Sequence, residues 1–263
     1  MGPTIFRRNR LWTNLQVGPN SALALVDTGT STSIAPRKWM IGKTIIRQQN
    51  VATPFSTKKF PLIKSDDVIV GSKTLNEVNF LAIRTRYPII GNNILLYEES
   101  VSLSTTGVRF GVTRPAQVPL ATVPLIFSYM NGSVQSGIQA IFFILTIEGI
   151  EQKVFFDTGR TDLLTATSQF IPRDPIRRRK IDIRFNAMGE WGLSHYTHYE
   201  TKLHLGSEYI EHKFRHVVND RSVNAPFIMG SSILNHFDIT ISVGDKQALF
   251  FRKGSFDFGG TIV

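Results

Sequence analysis

Two short strings in the 263-residue chain hold the residue types for acid–base chemistry: Asp27-Thr28-Gly29 and Asp157-Thr158-Gly159. Each follows three apolar residues, Ala24-Leu25-Val26 in one case and Val154-Phe155-Phe156 in the other. A buried strand thereby delivers a carboxylate into a tight turn, where glycine gives backbone freedom and admits a second chain segment at close range. Two carboxylates brought to roughly 3 Å cannot both ionise comfortably, so such a pair holds one shared proton. Its apparent pKa values belong to the pair and not to either residue. One carboxylate can act as general base on a bound water while the protonated partner polarises an amide carbonyl. That chemistry requires neither a metal nor a covalent intermediate, and no cofactor is expected.

Other chemistries lack their residues. The chain contains no cysteine, which removes disulfides, thiolate zinc sites and thiol nucleophiles. No zinc-peptidase helix motif, phosphate loop or Gly-x-Ser-x-Gly elbow occurs. His195 and His198 are three apart in a segment of strand or loop character, so they would face opposite sides and no metal site is expected there.

The aspartates must be positioned by elements that repeat with them. A Gly-bearing segment precedes each, Leu15-Gln16-Val17-Gly18 and Leu145-Thr146-Ile147-Glu148-Gly149. An apolar-apolar-Gly string follows each: Pro88-Ile89-Ile90-Gly91-Asn92-Asn93-Ile94-Leu95, and Phe227-Ile228-Met229-Gly230-Ser231-Ser232-Ile233-Leu234. The glycine supplies a small residue where another strand must pass. Four features in one order indicate an internal duplication. If the halves pack about a pseudo-twofold axis, Asp27 and Asp157 face each other at the junction.

The remaining pattern is that of an all-β chain. Short β-branched and aromatic runs at 22–26, Val68–Val70, Val78–Ile83, 141–147, 153–156, 181–185 and 238–243 are separated by Gly, Pro, Asn and Asp clusters. Brief helical segments are expected from Asn92 and Ser231, with these side chains capping the first turn. Between 113 and 139, Pro115, Pro119, Pro124 and the turn-like Asn131-Gly132-Ser133 predict a loop or edge strand. The expected division is an N-terminal lobe over 1–113, a connector over 114–138 and a C-terminal lobe over 139–263.

Hydrophobic residues at 42% and aromatics at 11% suit a globular protein. The longest apolar run, 140–147, is too short to span a bilayer, and the charged first residues do not suit a signal peptide. With the absence of cysteine, this favours an intracellular or virus- or retroelement-derived origin. The net charge of +10 and the cluster Arg177-Arg178-Arg179-Lys180 admit nucleic acid as a partner. A solvated loop is the preferred reading of that cluster, because no nucleic-acid motif with interleaved aromatics accompanies it.

The two halves resemble the lobes of pepsin-like and retroviral-type (retropepsin-like) aspartic peptidases. The likeness runs from the strand before each Asp-Thr-Gly to the strand after each apolar-apolar-Gly. Asp27-Thr28-Gly29-Thr30-Ser31 matches the pepsin-like active-site string, while the spacing and Ile89-Ile90-Gly91-Asn92-Asn93-Ile94-Leu95 are similar to the compact retroviral lobe. The resemblance implies two related β-barrel-like lobes with a cleft between them, and a water-activating dyad of Asp27 and Asp157. It implies that Thr28 and Thr158 lock the two loops, that Thr30 hydrogen-bonds its neighbouring carboxylate, and that Gly29 and Gly159 complete the turns. It implies peptide or protein substrates bound extended under hairpin flaps, with apolar residues flanking the cut. Because both aspartates lie in one chain, a monomer suffices.

Two departures stand out. Arg160 follows Gly159 where the family usually carries Ser, Thr or Ala. Turned inward, its charge would lower the apparent pKa of the dyad; turned outward, the expected case, it is a surface arginine. No pepsin-type flap tyrosine is recognisable in the first half, leaving 53–60 and 187–195, with Met188-Gly189-Glu190-Trp191-Gly192 at a tip, as candidate flaps. A peptide-binding module without catalysis, and a nucleic-acid-associated polyprotein component, are the alternative functions.

Overall fold

The computed structural model describes residues 5–52, 56–98, 100–111, 117–129, 137–170, 180–185, 191–217, 224–256 and 261–262. Two sets of seven strands repeat one topology. In the first half the order across the sheet is Arg10–Val17, Asn20–Val26, Ile89–Ile90, Ile34–Pro36, Val78–Ile83, Thr57–Ser65, Ile45–Ala52. In the second it is Ile138–Ile147, Ile150–Phe156, Phe227–Met229, Leu164–Ala166, Glu208–Val217, Trp191–Leu205, Lys180–Phe185.

The sense of every pairing repeats as well. Asn20–Val26 and Ile150–Phe156 are antiparallel to the strand before them and parallel to the two-to-three-residue strand that precedes each glycine. The next pairings are antiparallel, then parallel, then antiparallel twice. The duplication inferred from four short strings thus extends through the whole strand order.

Burial explains the composition of these strands. Arg10–Val17 alternates, with Leu11, Thr13, Leu15 and Val17 inward. The strands that end at the aspartates do not alternate near their ends: Ala24, Leu25 and Val26, like Val154, Phe155 and Phe156, are all buried. Ala24 and Val26 join the main core, whereas Leu25 joins a second cluster with Ile34, Leu62, Leu81, Ile83 and Ile89 on the opposite face. Phe155 likewise packs with Phe142, Ala225 and Ile228. A strand covered on both faces reads as a continuous apolar run, which is why the three residues before each Asp are uniformly apolar. Ring contacts tie the main core together, Phe143 lying 4.7 Å from Phe156 and 5.6 Å from Phe250 between centroids.

A further sheet joins the halves. Ser100–Ser104 and Gly107–Phe110 of the first half form a hairpin laid antiparallel against Phe237–Ser242 and Gln247–Arg252 of the second. Val101, Leu103, Ile239 and Ile241 are fully buried there. Near the end of the chain, Thr261–Ile262 pairs in parallel with Ile5 and Phe6.

The described part of the expected connector is a strand that lies at the edge wherever it pairs, the second of the two expected forms. Ala121–Tyr129 changes partner along its length: Ala121 to Pro124 pair with Gln247–Arg252, and Leu125 to Tyr129 with Ile138–Ile147. Pro124 is tolerated because the strand changes partner beside it. Leu125 N–H donates to the Lys246 carbonyl (2.8 Å), so the neighbouring proline nitrogen points away from that ladder.

Short helical segments form at Asn92–Leu95 and Ser231–Asn235, as expected, but Asn92 and Ser231 do not cap them. The residues at the cap positions are Gly91 and Gly230, and the two side chains are used elsewhere. Among the described residues no helix is long and apolar enough to cross a membrane. Of the candidate flaps, residues 57–60 lie in Thr57–Ser65 and 191–195 in Trp191–Leu205, each in an antiparallel hairpin. Residues 53–55 and 187–190 of those flaps, the turn-like string at 131–133 and Arg177 to Arg179 lie outside the described residues.

Candidate active site

Asn20–Val26 and Ile150–Phe156 run side by side with the strands Ile89–Ile90 and Phe227–Met229, and each ends in an aspartate. Asp27 N–H donates to the Ile90 carbonyl and Asp157 N–H to the Met229 carbonyl, both at 2.9 Å. The turns close through Thr30 N–H to Asp27 O (3.2 Å) and Arg160 N–H to Asp157 O (3.0 Å). Each carboxyl accepts from the glycine two residues on, Gly29 N–H at 2.9 Å and Gly159 N–H at 3.1 Å.

The two turns are cross-linked by their threonines. Thr28 N–H donates to Thr158 Oγ1 and Thr158 N–H to Thr28 Oγ1, both at 3.0 Å. Each hydroxyl then donates across the junction, Thr28 to the Phe156 carbonyl and Thr158 to the Val26 carbonyl, both at 2.9 Å. Both threonines are fully buried. Four reciprocal bonds fix the separation of the loops, and with it the separation of the carboxyls at their tips.

That separation is small. A methyl added at Gly29 would lie 2.5 Å from Asp157 Cγ, and one at Gly159 would lie 2.6 Å from Asp27 Oδ2. Each loop therefore needs glycine because the opposite carboxyl occupies the space of a Cβ. The two carboxyls are in hydrogen-bonding contact, and Asp27 is pushed up to about 7. Burial is the largest cause and the charge of Asp157 the next; the Thr30 and Gly29 donors act in the opposite direction.

The fourth loop position breaks the repeat. Thr30 Oγ1 donates to Asp27 Oδ2 at 2.9 Å, whereas Arg160 turns inward and its Nε donates to Asp157 Oδ2 at 3.1 Å. This corrects the expectation of an outward arginine. A long side chain at that position has the reach of the threonine it replaces, and a carboxylate within that reach gives the guanidinium a charge-assisted partner.

The apolar-apolar-Gly strings brace the loops from behind. A Cβ at Gly91 would meet Thr30 O at 2.5 Å, and one at Gly230 would meet Arg160 O at 2.7 Å, so both positions let backbones pass in contact. Asn92 Nδ2 donates to Thr28 O (3.0 Å), and Ser231 donates to Arg160 O through both N–H and Oγ, each at 2.8 Å. Asn93 Oδ1 accepts from Ser33 N–H (2.7 Å) and Oγ (2.8 Å). The structure thus brings together Asp27, Thr28, Gly29, Thr30, Asp157, Thr158 and Gly159. It adds Arg160, Asn92, Asn93, Ser33 and Ser231, which sequence reasoning did not place at the site. Their available signal was position: each lies within two residues after one of the repeated glycines or within six residues of Asp27.

Two seven-stranded sets in one order, joined by a shared sheet and meeting at paired Asp-Thr-Gly loops, constitute the bilobal fold of aspartic proteinases. Among solved structures, an aspartic proteinase from Irpex lacteus is similar over 99% of this chain and 99% of its own, with a TM-score of 0.54 and 12% sequence identity. At that identity the likeness speaks for the fold. No family model and no curated protein matches the chain.

Proposed function

We propose that this chain is an aspartic endopeptidase that cleaves extended polypeptides, with Asp27 and Asp157 as its acid–base pair. The observation that supports this most is the pair itself: two carboxyls in mutual contact, held by the crossed threonines, one of them raised to about 7. At mildly acid pH such a pair carries one proton and one negative charge. The ionised carboxyl takes a proton from a bound water, whose oxygen attacks the amide carbon, while the protonated one donates to the carbonyl oxygen. Proton return to the nitrogen of the resulting diol breaks the C–N bond. Resemblance to retropepsin-like lobes supports a preference for apolar residues around the cut, and a single chain with both aspartates supports activity as a monomer.

The test is cleavage of a diverse peptide mixture between about pH 3 and 7 by the wild type, Asp27→Asn and Asp157→Asn, with and without a statine-type transition-state mimic. Cleavage by the wild type alone, blocked by the mimic, is the expected result. Undiminished turnover by either variant refutes the assignment. The Arg160–Asp157 ion pair favours a second reading, a peptide-binding module in which one carboxyl is withdrawn from catalysis. Saturable peptide binding without cleavage at any pH would establish that reading instead.

A further inference from the structure

The two active-site loops match in every backbone bond up to the residue after glycine, where a neutral hydroxyl serves one carboxyl and a cation the other. Arg160 and Asp157 side chains are only 20% and 15% exposed, so their attraction is less screened than that of a surface pair. The arginine is held from its backbone as well, since its carbonyl accepts two bonds from Ser231 and its N–H closes the Asp157 turn. Among the described residues, Asp157 is the charge that acts on Asp27, and Arg160 is the cation bonded to Asp157. Asp162, two residues further on, is turned towards Thr165 Oγ1 at 3.3 Å.

We infer that Arg160 is a positioning residue that breaks the symmetry of the pair, holding the negative charge on Asp157 and leaving the shared proton on Asp27. Resting on the peptidase reading, this gives the carboxyls distinct roles. Asp157 takes the proton of the attacking water, and the water oxygen bonds to the amide carbon. Asp27 passes its proton to the carbonyl oxygen. When the diol collapses, Asp157 returns its proton to the leaving nitrogen, the C–N bond breaks, and Asp27 recovers a proton from the diol hydroxyl. The rise of Asp27 to about 7 agrees with a proton kept on that side.

The consequence is a displaced acid limb. A cation in contact with a carboxylate favours the singly charged pair over the fully protonated one, so the singly charged pair persists to lower pH. The upper apparent pKa reports loss of the Asp27 proton, on the carboxyl served by the Thr30 hydroxyl, and is moved less.

The experiment measures kcat/KM against pH for the wild type, Arg160→Thr, which gives the second loop the residue of the first, and Arg160→Lys. In Arg160→Thr the acid limb is expected to rise by about 1–3 pH units and the basic limb by less, while Arg160→Lys keeps a limb near that of the wild type. An unmoved acid limb in Arg160→Thr, or an equal rise in Arg160→Lys, overturns the inference. A 13C titration of the aspartate carboxyls, with Asp27→Asn and Asp157→Asn supplying the assignments, requires no turnover. It separates failure of this inference from failure of the peptidase reading. A wild-type pair whose more tightly held proton lies on Asp27 supports the inference, and a proton shared equally by the two carboxyls overturns it whether or not any variant cleaves peptide.

Discussion

Replacing Thr158 by valine keeps the volume of the side chain and removes one oxygen. That oxygen accepts from Thr28 N–H at 3.0 Å and donates to the Val26 carbonyl at 2.9 Å, in a place with no solvent access. No water can take over the bonds, so a buried donor and a buried acceptor each lose a partner, at about 1–3 kcal/mol apiece. The expected loss is therefore ~2–6 kcal/mol, a large fraction of the ~5–15 kcal/mol that stabilises a typical folded protein. Thr28→Val should cost a similar amount through Thr158 N–H and the Phe156 carbonyl. The double variant should cost less than the two singles together, because both hydroxyls belong to one network. Urea denaturation followed by tryptophan fluorescence measures all three, with the free energy extrapolated linearly to water. Single losses under about 0.5 kcal/mol, or strict additivity, would refute the view that the crossed threonines hold the loops together.

Other predictions concern the aspartates and glycines. Native Asp27 keeps a proton up to about pH 7, whereas the unfolded chain releases it near the ordinary 3.8, so native stability should fall as pH rises through that window. Asp27→Asn cannot lose that proton and should gain stability relative to the wild type between pH 4 and 7, by at most about 1.4 kcal/mol per pH unit; a constant difference in melting temperature across this range would count against the shift. Gly159→Ala places a methyl against Asp27 Oδ2 and should lower kcat/KM about 100-fold or more by displacing that carboxyl; near-wild-type cleavage would show that the loops yield. Gly230→Ala drives a methyl into the backbone carbonyls of Arg160 and Asp162 and should destabilise by about 1–3 kcal/mol, read as a lower urea midpoint.

The parts of the fold legible in the sequence were those where one residue type answers one physical demand. Ala24-Leu25-Val26 and Val154-Phe155-Phe156 announce strands buried on both faces, and Gly91 and Gly230 mark backbones in contact. Repetition of these short strings located both aspartates. What stayed hidden depended on partners far along the chain. Ala121–Tyr129 was legible as a loop or edge strand, but its change of partner beside Pro124 was not. The inward turn of Arg160 was set by Asp157, since a guanidinium on a turn points wherever a carboxylate awaits it. Asn92 and Ser231 directly follow the cap glycines, and their hydrogen bonds run to the active-site loop of their own half.

The sheet shared by the two halves also bears on the order in which the molecule can assemble. Its contact between Ser102 and Thr240 spans 138 residues, and the bonds between Thr28 and Thr158 span 130. Closing loops of that length costs entropy before any contact repays it, and chains dominated by distant pairings fold slowly. Each seven-stranded set can condense from nearer contacts, whereas the paired aspartates come into being only when both sets have docked. Pairing of the two carboxyls thus belongs to the last stage of assembly, and a partly folded molecule holds them apart.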